Sequence, residues 1–209
     1  MNKLFYNCDL QTNIDLSGFD TSLVIQMDSF FKNCKSLKFI DVSKFNTSSC
    51  TTMKNMFKNR TLITSLNLSS FDISNTLDME KMFTNCILLT YLNLSDFDTS
   101  KITNMNSFFE LCVSLISVDL SNCNTNQVQC MNKMFYNCKS LKSLDLSSFN
   151  TENVLSFKKL FANCKELNIK NFKENDSLDN TNMLKSTLDG IIYCIEDEES
   201  SPKINIFLK

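Results

Sequence analysis

Apolar and polar positions recur along this chain at one fixed spacing of 26 residues, in the frame M-x-x-M-F-x-N-C-x-x-L-x-x-L-D-L-S-x-F-D/N-T-S-x-V. Copies begin at Met1, Met27, Met53, Met79, Met105 and Met131, with a partial seventh at Phe157. Self-similarity at a period of 20 to 50 residues is the mark of a repeat architecture in which each unit buries its apolar face only against its neighbours. Within a copy, Ile40 and Val42 alternate with Phe39, Asp41 and Ser43, the period of two expected of a short strand. The inward columns are Ile14, Ile40, Leu66, Leu92, Val118 and Leu144, then Leu16, Val42, Leu68, Leu94, Leu120 and Leu146. All copies run the same way, so the strands stack in parallel. After a phenylalanine column, an Asx-Thr-Ser segment such as Asp98-Thr99-Ser100 reads as a turn whose side-chain oxygen caps a helix. Ile102, Met105, Phe108, Phe109 and Cys112 then recur at steps of three, three, one and three, which predicts a helix of about ten residues packed on the strands. The expected fold is thus α/β, a solenoid of 26-residue strand-turn-helix repeats with a parallel β-sheet on its concave face.

Phenylalanine fills one column in all seven copies: Phe5, Phe31, Phe57, Phe83, Phe109, Phe135 and Phe161. Burying each is worth roughly 1.5–3 kcal/mol, so this column and the Met columns beside it are expected core. Both ends behave differently. The first copy opens without a polar cap, so Leu4, Phe5 and Ile14 are expected to be partly uncovered, which raises the expectation of a fragment of a longer array or of self-association through the N-terminal end. At the other end the seventh copy is expected to fail at Lys170, where an inward apolar residue is due. The solenoid is therefore assigned to residues 1–173 and a C-terminal cap or tail to 174–209. In that tail Met183 to Asp189 reads as a helix, and Ile191 to Ile195 and Lys203 to Leu208 read as strands.

Composition narrows the function classes. Lys+Arg 21 against Asp+Glu 23 gives a net charge of −2, with no basic footprint for nucleic acid. No apolar run approaches the roughly 18 residues needed to span a bilayer, so no membrane insertion is expected of this segment. With Gly 2 and Pro 1 the turns must rest on Asn, Asp, Ser and Thr. Of the ten cysteines, Cys8, Cys34, Cys86, Cys112, Cys138 and Cys164 share one column, in which Arg60 takes the remaining place. Such a column reads as buried free thiols rather than a disulfide framework. Cys130 and Cys194 are the two with reactive potential. Histidine is absent, two glycines cannot build a phosphate-cradling loop, and no C-x-x-C pair exists, so no catalysis, cofactor or metal is expected.

The L-x-x-L-x-L frame, with M-F-x-x-C, D-L-S and F-D-T-S around it, resembles the BspA-like leucine-rich-repeat surface proteins over about four-fifths of the chain. The resemblance implies a curved solenoid acting in adhesion or recognition at a cell surface or as a secreted protein, although this segment carries no signal peptide or anchor.

Functional information is expected where copies vary on the outward strand face. The column Asp15, Asp41, Asn67, Asn93, Asp119 and Asp145 forms a ladder of carboxylates and amides, and Phe39 and Tyr91 are outward aromatics that the core does not require. Phe39, Asp41, Asn67, Tyr91, Asn93, Asp119 and Asp145 are therefore the candidate contacts for a protein or glycan partner. The plainer reading of the ladder is a set of hydrogen-bonding turns, and stacked carboxylates raise calcium binding as a minor hypothesis. The function class expected is a non-catalytic recognition or adhesion module, with end-to-end assembly as the alternative. Asn46, Asn59, Asn67, Asn93 and Asn175 each begin a glycosylation sequon.

Overall fold

The computed structural model describes residues 1–170, so the expected tail helix and strands, Cys194 and the sequon at Asn175 lie outside the described residues. The 26-residue repeat is real: each coil hydrogen-bonds to the next through its backbone at a fixed offset, and one contiguous apolar core runs through the stack. The strand-turn-helix expectation is wrong. Among the described residues there is no helix, and the strands are short: β1 (Tyr91–Asn93), β2 (Ser117–Asp119), β3 (Ser143–Asp145) and β4 (Asn168–Lys170), paired in parallel as β1-β2 and β3-β4. In the second coil, residues 37–43 form no strand.

The reason is where the backbone amides of the supposed helix go. In the third coil Met53, Asn55, Phe57 and Asn59 donate to the carbonyls of Asp78, Glu80, Met82 and Thr84 in the next coil, at 2.8–3.0 Å. The intervening amides of Met56, Lys58 and Arg60 donate three residues back, to Met53, Asn55 and Phe57. Each of these seven donors is satisfied, four of them between coils, and none by the bond four residues back that defines an α-helix. This geometry needs a left-handed residue twice per coil: Asn55 and Asn59 have φ of 56° and 60°, and Ser29, Asn33, Lys81, Asn85, Lys133 and Asn137 repeat the pattern. Asparagine is the residue after glycine that tolerates this region best, and it fills the second of these positions in every coil except the fifth, where Leu111 stands at φ 64°.

The Asx segment is also not a helix cap. Asp20, Asn46, Asp72, Asp98, Asn124 and Asn150 each accept the amide two residues on, at 2.9–3.1 Å, closing an Asx turn at one corner of the coil. The threonines beside them are buried, and Thr21, Thr47, Thr99 and Thr125 donate their hydroxyls to a carbonyl of the next coil. A line of parallel bridges, Gln26↔Thr52↔Asp78↔Asn104↔Cys130↔Ser156, joins the coils along another edge.

The core columns are as the pattern predicts. Phenylalanine rings from Phe5 to Phe161 stack coil upon coil at centroid separations of 5.5–5.7 Å and interplanar angles of 4–20°, the offset geometry aromatic pairs prefer. Phe5 and Ile14 in the first coil are only partly buried. The seventh coil does not fail at Lys170. Its register shifts by one residue, so Leu144 pairs with Ile169 and Asp145 with Lys170. Ile169, at 2% exposure, takes the inward column.

Candidate functional site

The outward strand face is built on two columns two residues apart. In the first, Asp15, Asp41, Asn67, Asn93, Asp119 and Asp145 each accept the amide of the serine two residues on, at 2.9–3.0 Å. One oxygen of every member is thereby committed to holding its own turn, which is the plainer of the two expectations for this ladder. The bonds from Ser17 and Ser43 hold the Asp15 and Asp41 carboxyls below the ordinary carboxylate range. In the register of the sheet, Lys170 pairs with Asp145. Among the described residues no three carboxylate, thiol or imidazole groups come together as a metal site, and nothing in the geometry favours the calcium hypothesis.

In the second column Phe39 is 70% exposed and Tyr91 49% exposed, separated by Ser65 on the coil between them. Two coils put them about 10 Å apart at the usual spacing of parallel strands. Neither ring belongs to the stacked core. A cleft between the third and fourth coils is lined by Asn67, Ser69, Asn93, Asp96 and Phe97. Asp96 escaped the sequence reading because its position varies freely between copies; an acid in a column otherwise holding Gly18, Lys44, Ser70, Asn122 and Ser148 is a weak signal.

The cysteine column gives no reactive site. Cys34, Cys86, Cys112, Cys138 and Cys164 are buried, and each thiol donates to the carbonyl of a core phenylalanine one coil back, at 2.8–3.3 Å. Burial pushes the Cys34 thiol up to about 11 and the Cys86 thiol up to about 12, so both are neutral at physiological pH. No disulfide forms among the described residues. Arg60 lies in this column, fully buried. Its Nη2 donates to the Leu37 carbonyl at 2.8 Å, while Nε and Nη1 have no partner. Cys130, half-buried in the bridge line, stands alone as a thiol there.

The family described as "Mycoplasma protein of unknown function, DUF285" matches residues 1–90 and again residues 88–189. Two successive matches, each longer than three coils, are what a uniform repeat array produces. No curated protein matches the chain. No helix among the described residues is long and apolar enough to cross a membrane.

Proposed function

This chain belongs to the family described as Mycoplasma protein of unknown function, DUF285, and within it we propose a non-catalytic recognition module that holds a protein or glycan on the outward strand face. The observation that carries the reading is the exposure of Phe39 and Tyr91 beside a ladder in which Asp41 and Asn93 each close an Asx turn. Exposed aromatics on a rigid support bind at low conformational cost, because few rotors are frozen on contact. Asp41, Asn67, Asn93, Asp119 and Asp145 supply a regular row of polar groups that orients the partner. The adhesion role implied by the resemblance to BspA-like surface proteins agrees with such a face.

Selection from a random peptide display library and from a printed glycan array, both with the wild-type chain, tests it. Ligands so obtained are expected to lose about tenfold or more in affinity for a Phe39→Ser/Tyr91→Ser variant, the scale of one or two aromatic contacts. The melting temperature should not move, since both rings lie outside the core. Equal binding by variant and wild type would remove this face from consideration.

A further inference from the structure

Next to the strand face, between it and the left-handed turns, runs a strip whose side chains point outward, and three coils in the middle of the stack change its character. In the second coil the strip presents Lys35 and Lys38, and in the sixth Lys139 and Lys142, at equivalent positions and all exposed. In the coils between, those positions hold Thr61 and Thr64, Ile87 and Thr90, and Val113 and Ile116, with Leu62 and Leu88 beside them and Leu111 in the adjoining left-handed turn. Of the six apolar residues, Leu88 is 41% and Ile116 45% exposed, and the other four are half-buried. Backbone bonds fix these coils side by side: Ile116 N donates to Thr90 O at 2.8 Å, Lys142 N to Ile116 O at 3.1 Å, and Leu111 N to Tyr136 O at 2.8 Å.

Leu111 makes the departure conspicuous. It stands at φ 64° where the other coils use asparagine, and a bulky residue in that region costs about 1–2 kcal/mol. The structure therefore carries backbone strain to present an apolar side chain on the surface. Apolar side chains exposed between charged ends are the ordinary mark of a contact surface.

The bracket has a length. Four coils separate the two lysine pairs, which at about 4.8 Å per coil is roughly 19 Å. An extended chain rising about 3.3 Å per residue covers that distance in about six residues, with alternate side chains on one face. We propose that this strip seats an extended acidic peptide, with apolar side chains over the central patch and carboxylates about six residues apart against the lysines at either end. The inference rests on the recognition reading above and gives its partner a chemistry. A second copy of this chain fits poorly, because pairing two such strips sets lysine against lysine.

Fluorescence anisotropy with a labelled synthetic nonapeptide tests it, using two aspartates, five alternating valine and tyrosine residues, and two aspartates, against the same peptide with lysines for aspartates. The aspartate probe is expected to bind at low salt and to weaken as salt screens the ends. Lys38→Glu/Lys142→Glu and Leu88→Ser/Ile116→Ser should each weaken it by about tenfold; these positions are exposed, so unchanged melting temperatures are expected. Equal affinity for both probes, or no binding of the aspartate probe, overturns the inference. Binding lost in Phe39→Ser/Tyr91→Ser but kept in the lysine and patch variants overturns it too, while leaving recognition on the strand face intact. A dimer in light scattering that Leu88→Asp dissociates would show the strip to be a self-contact instead.

Discussion

Arg60 is the residue whose replacement should stabilise this protein most. Its guanidinium is fully buried with one hydrogen bond, to the Leu37 carbonyl, and two nitrogens unpartnered. The neighbours in its column, Cys34 and Cys86, are thiols whose ionisation is pushed up to about 11 and about 12, so neither serves as a counterion at neutral pH. Burial correspondingly lowers the pKa of Arg60 itself. A buried ion without a counter-charge costs several kcal/mol after relaxation. Arg60→Cys removes that cost and supplies a thiol placed to donate to Phe31 O, as Cys86 donates to Phe57 O. It forfeits the charged bond to Leu37, worth about 2 kcal/mol. The cavity penalty is small if the coils close as they do around the cysteines elsewhere in the column. The net expectation is a gain of about 2–4 kcal/mol, or roughly 4–16 °C in melting temperature for a chain of this size. Thermal melting followed by circular dichroism reads it, and Cys86→Arg, which creates the same defect one coil on, should destabilise. An Arg60→Cys variant that melts at or below the wild-type temperature refutes the reasoning, since the guanidinium would then be contributing net stability.

Two further outcomes follow from the same geometry. Leu111→Asn should stabilise by about 1 kcal/mol in urea unfolding, by relieving a left-handed leucine and restoring an asparagine to the ladder in which Asn85 Nδ2 bonds Asn59 Oδ1 at 3.0 Å; it should also weaken the acidic nonapeptide. The buried thiols make stability fall in alkali: Cys86 and Cys123 both titrate near 12 when folded against an ordinary value of 9.0, so their contribution is complete below about pH 9 and is lost as pH rises from there towards 12. The slope is about 1.4 kcal/mol per pH unit for each thiol in that window, and urea midpoints measured across it check the sign.

The sequence made the columns legible because a period-26 register repeats each core contact, and the buried rings of Phe31 to Phe161 lie where the pattern puts them. It misled on the helix because Met105, Phe108, Phe109 and Cys112 share a face under helical spacing and also under a succession of turns with a left-handed residue every four positions. Asn7, Asn33, Asn59, Asn85, Asn137 and Asn163 occupy one column next to the last residue of the supposed helix, where an asparagine at positive φ also ends ordinary helices, so this column did not discriminate. The aspartates after each Phe column were read as caps for the same reason, since an Asx turn and a helix start use one side-chain bond. On the strand face, exposure of Phe39 and Tyr91 followed from alternation. The lysine-bracketed strip was not legible, because its residues lie in positions that look like noise until the coils are set in register.

The central claim is that alternate residues from Met53 to Asn59 bond forward to the next coil rather than back into a helix. NMR measurement of scalar coupling across hydrogen bonds tests it at Phe57. The account predicts a coupling between the Phe57 amide nitrogen and the Met82 carbonyl carbon, whose oxygen lies 2.9 Å away. A coupling from Phe57 to the Met53 carbonyl, the partner an α-helix would provide, would contradict it.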